Sequence, residues 1–273
     1  MVTERTYRIG ELIPYIDWTY FFHAWKVPAD SAEADGLKAE AVEVLQSADD
    51  GLHVTGRIGL FDAGSNGDDI IVADDAGGKT VIPCLRQQHA VSIGPNLCLA
   101  DFVRPLEQGM ALDKVGVFAT TAACDADWLH TADDYQRMMV QTLCDRLAEA
   151  AACRLHEEVR KDIWGYAPDE RLTIDDILHE RNQGIRPAVG YPSLPDTSLN
   201  FVIDSLIDMK QIGVRLTESG AMKPHASVSG LMFAHPQARY FNLGKLGEDQ
   251  LRDYARRRGI PLALMRKFLG GNL

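Results

Sequence analysis

Residues 184–195 read GIRPAVGYPSLP, with three prolines and two glycines around one Arg and one Tyr. Proline fixes φ and removes a donor, while glycine lets a ligand approach the backbone closely. A run this stiff is a preformed loop, and its chemistry admits two readings. One is a rigid surface connector. The other is a cradle in which Arg186 forks onto a carboxylate, backbone groups of Ala188 and Gly190 hold polar edges, and Tyr191 stacks on a flat ring. Elsewhere the reactive residue types are less concentrated. Asp17 stands in the aromatic run YIDWTYFFHAW (15–25), where on its own it reads as the cap of the following turn. Arg146 and Glu149 are three apart on a helical stretch and share a face, which by itself reads as a solvated ion pair of roughly 0.2–0.5 kcal/mol.

Familiar catalytic patterns are absent. Gly77-Gly78-Lys79-Thr80 ends like a phosphate loop, but the position five before Gly78 is Ala73, and the segment falls between strands, so it reads as a hairpin turn. The sequence has no GxGxxG, GxSxG or HExxH, and its eight His are scattered without metal-ligand spacing. Five Cys, at 84, 98, 124, 144 and 153, show no CxxC spacing. They read as buried thiols in a reducing compartment, the cytoplasm. With 39 Asp plus Glu against 28 Lys plus Arg, the net charge of -11 gives no pull toward nucleic acid or anionic membrane. Charge interrupts every apolar run before it reaches membrane-spanning length, and the first eleven residues have no signal-peptide core.

The elements that must position these residues follow from periodicity. The strongest helical pattern lies in 131–164, where Met139, Leu143, Leu147, Ala151, Leu155 and Val159 recur every four residues. Further helices are expected at 32–46, 198–212 with a stop at Gly213, 248–258 ending at Gly259, and 261–269. Segments 57–61, 69–73, 80–85, 115–121, 216–218 and 226–233 read as strands, the early ones forming an antiparallel meander. The blocks are mixed without a βαβ rhythm, so the fold class is α+β. The apolar and aromatic fraction of 46% in 273 residues suffices for a large core, and the chain is expected to form one domain over 1–273, with 1–50 packing onto it.

At the 184–195 loop the sequence resembles the S-adenosylmethionine-binding activation domain of cobalamin-dependent methionine synthase. The Arg-x-x-x-Gly-Tyr signature of that family is met by Arg186, Gly190 and Tyr191. In the same order the chain carries YIDWTYFF (15–22), CLADFV (98–103), DRLAEA (145–150), LHEEVRK (155–161), WGYAPDE (164–170), LTES (216–219), ASVSG (226–230) and DYARRRG (253–259). The likeness implies a C-shaped α+β domain around a twisted antiparallel sheet flanked by helices, one of them long and central.

It also implies roles. Asp17 matches the carboxylate that holds the ligand ammonium, and Arg186 would clamp the ligand carboxylate. Ala188, Gly190 and Tyr191 would line the adenosine side. Tyr240, in HPQARYF (235–241), matches a tyrosine that contacts the ligand; Phe241 stands where family members often have a second Tyr. Glu149 and Glu180 would support the site wall. Two departures stand out: Thr197 replaces a family His, and Met-Lys-Pro-His-Ala at 222–226 replaces Met-Trp-Pro-Gly-Ala.

The implied function is reductive methylation of cob(II)alamin to methylcobalamin, with S-adenosylmethionine as methyl donor and an electron donor of flavodoxin or ferredoxin type. Cobalamin would come from a partner, because the chain has neither the Asp-x-His-x-x-Gly that holds it nor the cysteine cluster that holds zinc for homocysteine. The chain is therefore a fragment or a subunit acting in trans, and the initial Met favours the latter. Two other readings compete. One is service to a different corrinoid methyltransferase. The other is a non-catalytic module that binds a cobalamin protein under control of S-adenosylmethionine.

Overall fold

A computed structural model describes residues 2–47, 51–73, 78–88, 94–107, 111–125 and 133–273. Its main sheet is antiparallel and contains β1 (Val2–Tyr7), β2 (Leu52–Asn66), β3 (Asp69–Ala73), β4 (Lys79–Pro83), β5 (Asp113–Cys124) and β8 (Ser227–Met232). A separate two-stranded ribbon pairs β6 (Arg215–Leu216) with β7 (Met222–Lys223). The order across the main sheet is β4-β3-β2-β5-β8. One edge of β2 carries β1 along residues 54–59 and β3 along 63–66, end to end, while its other edge carries β5 from residue 52 to 63.

The strand expected at 57–61 is therefore a fifteen-residue strand. Gly56, Gly59 and Gly64 interrupt its apolar alternation and mask its length. Two of them mark close approach: a Cβ at Gly59 would stand 2.5 Å from the Phe61 ring, and one at Gly64 would stand 2.4 Å from Leu106. The expected strands at 69–73, 80–85, 115–121 and 226–233 coincide with β3, β4, β5 and β8 to within a few residues. Strand β1 carries too much charge to stand out by pattern, and it goes unread in the sequence. Part of the Gly77-Gly78 turn lies outside the described residues; the strands on either side of it pair antiparallel.

Strand β5 shows why the sheet has helices on both faces. Its alternating residues enter different cores, with Val115, Val117 and Ala119 in one and Phe118 and Ala122 in the other. In the N-terminal segment, α1 (Ile9–Leu12), α2 (Trp18–Trp25) and α3 (Ala32–Ser47) pack into the second core around the long helix α4 (Asp134–Glu158). Helix α5 (Ile174–Leu178) joins the second core through Ile177, while the first core buries α6 (Leu199–Ile207), α7 (Glu248–Arg258) and α8 (Leu262–Phe268).

Helix α4 starts at an Asp133–Gln136 capping box and ends in a π turn at Val159–Ile163. The expected start at residue 131 lies outside the described residues. All six residues of its four-residue period are buried, and so are Ala150, Ala152, Cys153, His156 and Glu157. Burial on more than one side reflects its packing against both the sheet and the N-terminal helices α1–α3. Among the described residues no helix is long and apolar enough to cross a membrane.

Candidate functional site

The 184–195 loop is fastened along β8. Ile185 N donates to Phe233 O at 3.0 Å and Phe233 N returns the bond at 2.9 Å; Leu231 N donates to Pro187 O at 3.1 Å and Val189 N to Ser229 O at 2.9 Å. This pairing brings two backbones close at Gly230, where a Cβ would lie 2.2 Å from Pro187 O and 2.9 Å from Ala188 Cα. The turn closes at Gly190, whose φ of 92° is open to glycine and strained for other residues. Its N–H donates to Leu194 O at 2.8 Å. The loop is rigid because of its prolines and also because it extends the sheet. Gly230→Ala is expected to cost about 1–3 kcal/mol by overpacking; an unchanged denaturant midpoint would refute the close approach.

The loop's side chains are anchored individually. Arg186 N donates to the Tyr240 hydroxyl at 3.0 Å, and Arg186 Nη2 donates to Cys153 Sγ at 2.8 Å. The Tyr191 hydroxyl donates to Glu149 Oε1 at 2.6 Å. Glu149 and Cys153 are one turn apart on α4, so the helix supplies the far wall. The Arg146–Glu149 ion pair expected from their spacing does not form. Arg146 lies instead over the Tyr20 ring, 5.6 Å from its centroid. Asp17 caps α2, its Oδ1 accepting from Thr19 N at 2.9 Å.

Two adjoining concavities, of about 410 and 440 Å³, share Tyr20, Glu149, Glu180, Arg186 and Tyr191. The first adds Asp17, Arg146 and Cys153, and the second adds Ala188, Tyr240 and Phe241. Eight of the nine residues singled out in the sequence thus meet in one cleft, and Gly190 shapes its rim without lining it. Phe241 is mostly core: it is 8% exposed, and its backbone is held by the Ser193 hydroxyl. Thr197 stands beside the Gly190 turn, with its methyl 3.9 Å from where a Cβ would be. Tyr15, Tyr20, Arg146, Cys153 and His179 were not expected here. Tyr15 and Tyr20, within the matched YIDWTYFF segment, and Arg146, within DRLAEA, left a signal in the sequence; Cys153 and His179 lie outside the matched segments.

The cleft is polar at one end and aromatic at the other. Among the described residues Arg186 forms no ion pair, although Glu149 and Glu180 act on it through space. Burial pushes the Glu180 carboxyl up, against the pull of Arg186. Burial likewise pushes the Tyr240 phenol up to about 12, so it stays a neutral hydroxyl. The arrangement suits an amphoteric, elongated molecule, with a cation at Asp17, a carboxylate at Arg186 and a flat ring against Tyr191 and Tyr240.

Close to Arg186, His156 is fully buried, its Nε2 3.2 Å from the Tyr166 hydroxyl and its Nδ1 without a partner among the described residues. Burial, then Arg186 and Arg160, hold its pKa well below the ordinary value of 6.5. The unfolded chain binds this proton and the folded one does not, so stability falls as pH drops below about 6.5, by up to ~1.4 kcal/mol per pH unit. His156→Gln should flatten that slope. Denaturant titrations between about pH 5 and 8 test it, and equal slopes in both proteins would refute it.

The family described as "Vitamin B12 dependent methionine synthase, activation domain" matches residues 8–259. A solved structure, the crystal structure of a MetH reactivation domain bound to AdoHcy, is 40% identical in sequence with a TM-score of 0.93. The alignment covers 100% of this chain and 90% of that one. A full-length fold match at this identity, together with a family match over most of the chain, shows that the chain belongs to the activation-domain family of vitamin B12-dependent methionine synthase.

Proposed function

We propose that the cleft binds S-adenosylmethionine and presents its methyl group to cobalamin held by a partner module, restoring methylcobalamin from cob(II)alamin. The observation that carries this reading is the pairing of Arg186 and Asp17 in one cleft, the two charges that an α-amino acid end requires. Cobalamin held by a partner would supply the nucleophile once reduced by one electron from an external donor. The methyl group would pass to that nucleophile with cleavage of its C–S bond, whose electron pair would stay on sulfur and leave S-adenosylhomocysteine.

No proton moves at the methyl carbon, so no general acid or base is needed. The chain's own residues position the donor. Arg186 holds the carboxylate and Asp17 the ammonium, while Glu149 and Glu180 supply negative charge along the wall beside the sulfonium. Tyr191 is fixed by Glu149 and Tyr240 by Arg186 N, so both offer pre-set ring faces to the adenosine.

A second reading, service to a different corrinoid protein, is favoured by the 222–226 segment. Lys223 is exposed there, and the His225 side chain is 96% exposed with its Nδ1 3.4 Å from Asp145. Titration calorimetry with S-adenosylmethionine and S-adenosylhomocysteine tests binding. Reductive methylation, followed by cobalamin absorbance with candidate partners, tests transfer. Saturable binding of both ligands is expected; a folded protein that binds neither overturns the proposal. Binding without methyl transfer to any cobalamin partner would favour a regulatory module.

A further inference from the structure

Cys153 reads in the sequence as one more buried thiol. It is 6% exposed, yet it belongs to the cleft wall and its sulfur is the acceptor for Arg186 Nη2 at 2.8 Å. The other anchor of Arg186 acts on its backbone, through Tyr240. Cys153 is thus the only described side chain hydrogen-bonded to the guanidinium. A guanidinium has five donors in a fixed fork, so fixing one Nη sets the plane in which the others point.

We propose that Cys153 is a positioning residue: its sulfur orients the Arg186 guanidinium so that the remaining donors face the ligand's carboxylate. The inference rests on the methyl-donor reading of the cleft. A thiol suits this task for an electrostatic reason. Burial pushes the Cys153 pKa up, against the pull of Arg186, so the group is neutral at pH 7. A neutral sulfur is a weak acceptor that steers the fork without cancelling its charge. A carboxylate at the same place would form an ion pair with Arg186 and compete with the ligand.

The test compares S-adenosylhomocysteine with 5′-methylthioadenosine, which keeps the adenosine and thioether but lacks the amino acid end. In Cys153→Ala, calorimetry should show about a tenfold loss for S-adenosylhomocysteine, the size of one modest hydrogen bond, and no change for methylthioadenosine. Cys153→Ser, with a hydroxyl acceptor, should recover most of the loss. Cys153→Glu should lower S-adenosylhomocysteine affinity more than Ala does, by occupying Arg186, and it serves as the test if the Ala variant does not fold.

Equal losses for both ligands would mean a merely structural role and would overturn the inference. So would wild-type affinity for S-adenosylhomocysteine in Cys153→Ala and Cys153→Glu. These outcomes differ from failure of the underlying reading, in which the wild-type protein itself would bind neither ligand.

Discussion

Arg186→Ala should weaken S-adenosylhomocysteine binding by roughly 2–5 kcal/mol, the cost of truncating one partner of a desolvated charge pair. That corresponds to about 30-fold to several thousand-fold in Kd. The large value follows from the surroundings of the guanidinium. Glu149 and Glu180 also face the cleft, so without Arg186 the ligand's carboxylate would meet uncompensated negative charge. The fold should survive, because the loop is held to β8 by backbone bonds that the substitution leaves in place. Methylthioadenosine should bind the variant as it binds the wild type, since it has no carboxylate to lose. Arg186→Lys should fall between the two, because a point charge on a flexible stem does not reproduce the fork. Unchanged S-adenosylhomocysteine affinity in Arg186→Ala would remove the clamp from the proposed site.

The same residue shows how far the sequence reaches. Composition marked the 184–195 loop as stiff but left both connector and cradle open. What decides between them is the set of long-range contacts to Glu149, Cys153 and Tyr240, and local sequence carries none of these. Asp17 had a local reading, the helix cap, and the structure supports it while also placing the residue in the cleft. The two roles are compatible because among the described residues only Oδ1 is engaged in the cap. The period of α4 was legible because burial on a helix repeats. Cys153 was legible as a buried thiol, but neither it nor His156 breaks the helical period, so nothing local marked their places beside Arg186 and Tyr166. In β2 the glycines that shortened the expected strand make room for packed side chains, the Phe61 ring of the same strand at Gly59 and Leu106 from a later segment at Gly64.

Arg160 presents the opposite case to Arg186, a buried cation whose partner lies within the chain. It is fully buried in the π turn that ends α4, and it donates to the Glu170 carboxylate through Nε at 2.9 and 3.0 Å and through Nη2 at 2.7 Å. Among the described residues its Nη1 has no partner, so the pair sits in an environment that does not fully solvate it. Arg160→Met should therefore destabilise the protein by about 3–5 kcal/mol, chiefly by leaving the Glu170 charge buried alone. Denaturant unfolding measures this directly. Adding Glu170→Leu to Arg160→Met should restore most of the loss, because no orphan charge then remains. If the double variant is as unstable as the single one, packing around the methylene stem of Arg160, and not charge, holds this corner together. The pair stands behind the site as well as under the fold: Arg160 helps to keep His156 neutral close to Arg186. In the Arg160→Met background the acid sensitivity attributed to His156 should therefore diminish, since one of the two cations opposing its protonation is gone.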